Sequence, residues 1–134
     1  MRKSESGWMK SLAATVFAVL ALASAAPASA HHSAAATYDL SRKVEISGEF
    51  SKLAWINPHI GFEVKTTGAK PAVWRFETRP PGYFVRNGVD KATLDSYVGQ
   101  KVRVQANPAR DGSTSAWALK VTFADGAELE LPGE

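Results

Sequence analysis

The chain has no cysteine. That excludes disulfides, thiolate metal sites and cysteine nucleophiles, so the fold must rest on its apolar core alone. Histidine is scarce as well: His31, His32 and His59 are the three in 134 residues. A Ser-His-Asp triad has little to draw on, and there is no HExxH zinc helix. Also missing are a Gly-rich phosphate loop of Walker or Rossmann spacing and a G-x-S-x-G elbow. The carboxylates show no spacing that argues for a glycosidase pair. No constellation of acid, base and nucleophile stands out, so catalysis is not the expectation.

The longest apolar run, Leu12 to Ala26, is Ala-rich and followed by Pro27. It falls short of the ~20 strongly apolar residues of a membrane span. Arg2, Lys3 and Lys10 precede it and Ala28-Ser29-Ala30 follows it. These are the three parts of a cleaved secretory leader, expected over residues 1–30, with export to the periplasm. Losing Arg2, Lys3, Lys10 and Glu5 with the leader takes the formal charge from +3 to +1. A charge that small gives no argument for nucleic acid or for an anionic membrane surface. Residues 31–134 are then about the size of one small domain.

Within that domain the pattern is period two. A short Ala-rich linker (Ala34 to Ala36) leads to Val44, Ile46, Gly48 and Phe50, which alternate with polar residues as in a half-buried strand. The phase slips near Ser51-Lys52, as at a β-bulge, and Gly48 is a site for curvature. Asn57-Pro58 reads as a turn. Ile60, Phe62 and Val64 form a second strand, and Val73 to Thr78 a third with Trp74 and Phe76 on one face. Tyr83 to Arg86 has room for a turn or two of helix closed by Asn87-Gly88, and Thr93 to Tyr97 for another turn. Lys101 to Ala106 makes a fourth strand. Trp117, Leu119, Val121 and Phe123 alternate as a fifth, all on the core face. Leu129 and Leu131 add a short edge. Five strands with a short helix between the third and fourth predict an all-β, OB-like barrel, with a β-sandwich as the alternative.

Cleavage after Ala30 would leave His31 at the N-terminus, where its α-amine and imidazole Nδ1 can chelate one metal together. Amine and imidazole nitrogens suit Cu(II), which tops the divalent affinity order. A third nitrogen completes a histidine brace, and His59 and His32 are the candidates. Pro58 holds the backbone next to His59, and Trp55 has the reach to pack beside it. Asp39, next to Tyr38, is a candidate ligand or an acceptor for a histidine N–H. A metal-free reading uses other residues: Trp55, Asn57, Arg79 and Arg86 as contacts for a small ligand, peptide or envelope protein. Glu77, Arg79 and Arg86 flank the Pro80-Pro81-Gly82 break, and arginine suits bidentate contact with an acidic group.

His31-His32-Ser33, Tyr38-Asp39, Trp55-x-Asn57-Pro58-His59, Arg86-Asn87-Gly88 and Asp111-Gly112-Ser113 together resemble an uncharacterised bacterial family of small exported proteins, a domain of unknown function. The resemblance covers roughly residues 31–131. Here Glu77-Thr78-Arg79-Pro80 stands where that family has an acidic or Gly-Ser element before a proline. The resemblance implies export and domain identity and no reaction. The expectation is therefore an exported periplasmic binding module, with Cu(II) held by His31, His59, His32 and Asp39. The alternative is a metal-free barrel that binds a ligand or partner.

Overall fold

A computed structural model describes residues 34–133. The elements are α1 (Ala34–Thr37), β1 (Val44–Ala54), β2 (Gly61–Lys65), β3 (Val73–Glu77), α2 (Pro81–Arg86), α3 (Lys91–Asp95), β4 (Lys101–Pro108), β5 (Ser115–Phe123) and β6 (Glu128–Glu130). The strands run in the order β3-β2-β1-β4-β5-β6. A parallel pairing of β3 with β5, Arg75 to Ser115 through Glu77 to Trp117, closes the first five into a mixed barrel. The expected OB-like barrel is the fold, and the sandwich is not. Among the described residues no helix is long and apolar enough to cross a membrane.

β1 makes the barrel possible by serving two neighbours. Its first half pairs with β4 (Val44–Glu49 against Ala106–Lys101) and its second half with β2 (Glu49–Ala54 against Lys65–Gly61). The register against β2 slips between Phe50 and Lys52, at the predicted bulge. Such a slip bends the strand and increases its twist, which is what turning from one neighbour to the other requires. Gly48 lies where the end of β2 crosses: an added Cβ would sit 2.3 Å from the Lys65 carbonyl oxygen and 2.9 Å from Val64 Cγ1. Only glycine fits there.

Inside the barrel Phe50, Phe62 and Phe76 stack in series, with centroids 5.2 and 4.9 Å apart. Val64, Val104, Ala106, Ala118 and Val121 fill the rest of the core. α2 and α3, at the two places where helical turns were expected, close the barrel between β3 and β4 by burying Phe84 and Leu94. Asp90 caps α3 by accepting from the Thr93 N–H at 2.8 Å. The helix therefore starts at Lys91, earlier than the expected Thr93.

Two expectations change. The Ala34–Ala36 linker is part of a helical turn, α1, with Ala34 buried. The β5 alternation does not run unbroken. Gln105 faces Lys120 while Ala106 faces Ala118, so Leu119 is an extra residue in the ladder. A one-residue bulge exchanges the faces on either side of it. Val121 and Phe123 point into the barrel with Ala116 and Ala118, whereas Trp117 belongs to a second cluster with Ala34, Tyr38 and Ala109, against which Leu119 packs.

Candidate functional site

That second cluster is built on the outside of the barrel wall, where β2, β3 and β5 meet. Ile60 is fully buried in the core, so its neighbour His59 faces outward with Gly61 and Glu63. On β3 the buried Phe76 sends Arg75 and Glu77 outward. Register does the rest: Gly61 lies opposite Glu77, and Glu77 opposite Trp117. The ladder continues past β2, with Thr78 N–H donating to the Ile60 carbonyl at 3.0 Å and Ile60 N–H to the Arg79 carbonyl at 3.1 Å. His59 is thereby held beside Glu77, following a cis Asn57–Pro58 peptide.

His59 Nδ1 lies 3.5 Å from Glu77 Oε2, and its side chain is 24 % exposed. A carboxylate at Nδ1 selects the Nδ1–H tautomer, in which Nε2 carries the lone pair. The ring stands edge-on against the Trp117 indole, centroids 5.0 Å apart at 88°. Trp55, expected as the partner ring, instead packs on Phe84 of α2 at 5.8 Å. On its other side Trp117 meets Tyr38, centroids 6.0 Å apart. Burial pushes the Tyr38 hydroxyl above the usual phenol range. A hydrogen bond with Ser115 opposes that shift, and the negative Glu77 adds to it. The Trp117 indole Nε1 is buried and has no hydrogen-bond partner among the described residues.

Backbone ties bring α1 to this place. Tyr38 N–H donates to the Ala34 carbonyl at 2.7 Å, and Asp39 N–H to the Pro108 carbonyl at 2.9 Å. Arg110 answers from the other side, its N–H donating to the Thr37 carbonyl at 3.0 Å and its Nε–H to the Ala35 carbonyl at 3.1 Å. Ala34 is 4 % exposed within the cluster that contains Trp117.

The other candidate residues lie apart. Asp39 Oδ1 accepts from the Ser41 hydroxyl at 2.6 Å and from the Ser41 N–H at 3.1 Å, an Asx turn. Those bonds, the hydroxyl's first, hold its carboxyl below the usual range. Arg79 Nε–H donates to the Pro132 carbonyl at 2.9 Å, a second donor reaches the Gly133 carbonyl, and the guanidinium lies over the Tyr83 ring at 5.6 Å. It fastens the C-terminal segment. Arg86 is exposed in the last turn of α2. Of Trp55, Asn57, Arg79 and Arg86, only Asn57 borders the groove beside His59. His31 and His32 lie outside the described residues. Among the described residues no three of His, Cys, Asp and Glu come together as a metal-holding group. What the described part supplies is the His59–Glu77 pair.

That groove has a volume of about 380 Å³ and runs along the outer face of β1, β2 and β3. Lys52, Glu63 and Arg75 border it, none of which the sequence singled out. Alternation alone does put Glu63, Arg75 and Glu77 outside with His59; which of them are neighbours depends on register.

The chain belongs to a family of unknown function (DUF6152), whose model matches residues 18–118. No curated protein and no solved structure matches it.

Proposed function

We propose that this member of a family of unknown function is an exported periplasmic metal-binding module. His31, freed at the N-terminus by removal of residues 1–30, holds Cu(II) through its α-amine and ring, and His59 supplies the third nitrogen. One observation carries the reading: the His59 ring packs edge-on against Trp117, which shares a buried cluster with Ala34, Tyr38 and Ala109. Two residues, His32 and Ser33, separate His31 from Ala34, a chain reach of at most ~10 Å over three steps.

The chemistry of the pair agrees. Glu77 faces Nδ1, the arrangement in which a carboxylate orients a ligating histidine. His32, adjacent in the chain, is the reserve ligand. Asp39 stays in its turn with Ser41. The soft thiolate route to Cu(I) is absent with cysteine, so nitrogen ligation of Cu(II) is the form the residues favour. The role that follows is copper binding for storage or delivery.

The test is intact mass of the protein purified from the periplasm, followed by Cu(II) titration and electron paramagnetic resonance. The expected result is a chain beginning at His31 that binds one copper in nitrogen coordination. His59→Ala and one extra residue ahead of His31 should each abolish that signal. A chain beginning elsewhere, or copper binding indifferent to both changes, overturns the reading.

A further inference from the structure

The groove beside His59 has its own chemistry, separate from any metal. Its floor is nearly bare of side chains: Ala54 and Gly61 face each other across the β1–β2 ladder. Ile56, 61 % exposed, and Pro58 supply apolar edges. An apolar body laid there removes Ile56 from water, which favours its binding. The ~380 Å³ volume falls within the range of about 300–1,000 Å³ typical of small-molecule sites. It is more than twice the ~150 Å³ that accommodates benzene.

Five titratable side chains border the groove, and four of them are paired. His59 Nδ1 and Glu77 Oε2 are 3.5 Å apart, and Arg75 Nε and Glu63 Oε1 are 3.5 Å apart. The fifth is Lys52, exposed on β1. Its cross-strand neighbour is Glu63, whose carboxylate is engaged by Arg75. Lys52 is therefore the cation of the groove left without an ion-pair partner among the described residues, beside an apolar floor and away from the His59–Glu77 pair.

We infer that this groove is a binding site for a small carboxylate with an apolar, ring-sized body, its head group on Lys52 and its body over Ala54 and Gly61. Gly61 is open where the ligand would lie: an added Cβ meets only the Phe76 carbonyl oxygen at 3.5 Å and Ala54 Cβ at 3.8 Å, both ordinary contacts. Gly61→Val therefore fills the floor without forcing the backbone, and valine is well suited to a strand.

The experiment is a two-dimensional amide NMR titration of the mature chain with phenylacetate, with phenethylamine as the cationic control, in EDTA to remove metals. Phenylacetate should give saturable shifts centred on Lys52, Ala54 and Gly61, with the amine weaker by about tenfold. Lys52→Gln should reduce the preference for the acid by about fivefold, the scale of an exposed ion pair, and leave the spectrum otherwise intact. Gly61→Val should abolish binding of both probes in a folded protein. No saturable shifts at the groove, equal binding of acid and amine, or binding that survives Gly61→Val would each overturn the inference. Because copper is excluded, none of these outcomes depends on the metal reading.

Discussion

Glu77 and Trp117 are the residues on which His59 depends. Trp117 was legible as a core residue from its place in an alternating run, and it is buried to 1 % exposure. Its neighbours were not legible, because the Leu119 bulge sends it to the outside of the wall, where Tyr38 and His59 cover it. Truncating so large a buried ring leaves a cavity, so Trp117→Ala should cost about 3–5 kcal/mol in urea denaturation. Trp117→Phe should cost much less, under about 1.5 kcal/mol, because the indole Nε1 it removes makes no hydrogen bond among the described residues. Glu77→Gln keeps the shape of the side chain and removes the charge facing Nδ1. Copper affinity should fall at least about tenfold, the usual effect of losing a histidine's orienting partner. Nitrogen-15 NMR of metal-free protein should show His59 losing its preference for the Nδ1–H tautomer.

At the scale of elements, the devices that shape the strands and helices carry the next predictions. β1 passes from β4 to β2 by way of a bulge and a glycine, and both were visible in the sequence as a slipped phase and a Gly in an apolar slot. The reason only glycine serves, the Lys65 carbonyl 2.3 Å from a built Cβ, required the path of β2. Gly48→Ala should cost about 3 kcal/mol, the upper range of overpacking, read as a lowered denaturation midpoint with an unchanged slope. α3 is started by Asp90, whose carboxyl is held below its ordinary value of 3.8 by hydrogen bonds from the Thr93 hydroxyl and N–H. A depressed folded-state pKa adds stability above the unfolded pKa, and that contribution is lost as pH falls through the folded value. Asp39 and Asp111 act in the same direction from their turns. The melting temperature should therefore be flat near neutrality and decline below about pH 4. In Asp90→Asn, which can still cap, the decline should be shallower.

For the whole molecule, the consequence of the fold is that His59, from the β1–β2 turn, packs on Trp117 of β5, which clusters with Ala34 and Tyr38. Local sequence could name His31 and His59 as partners only by chemistry, since 27 residues separate them. The closure of β3 on β5, together with the Tyr38–Ala109 bridge, sets Tyr38 and His59 against one indole, in a cluster that includes Ala34. If Cu(II) bridges His31 and His59, it binds the folded state more tightly than the unfolded chain, which keeps only the His31 chelate. At a free concentration of 100 times Kd it should then stabilise the domain by at most about 2.7 kcal/mol. Calorimetry of the mature chain with and without Cu(II) should show this rise in Tm. The chain carrying one residue ahead of His31 should show little of it, because the α-amine is lost as a ligand.

Alternation, turn residues and the order of elements were enough to determine five strands, helix between the third and fourth, and hence an OB-like barrel. These are local consequences of which face each residue can bury, and each strand carries that information within itself. The core trio Phe50, Phe62 and Phe76 follows from the same reasoning. Tertiary structure alone decided the site. Whether His59 meets Trp55 or Trp117, and whether Glu77 or Asp39 stands by it, depends on inter-strand register and on a one-residue bulge in β5. A strand's own pattern says which face a side chain takes but not which neighbour it finds there, because pairing is set by the packing of all five strands at once.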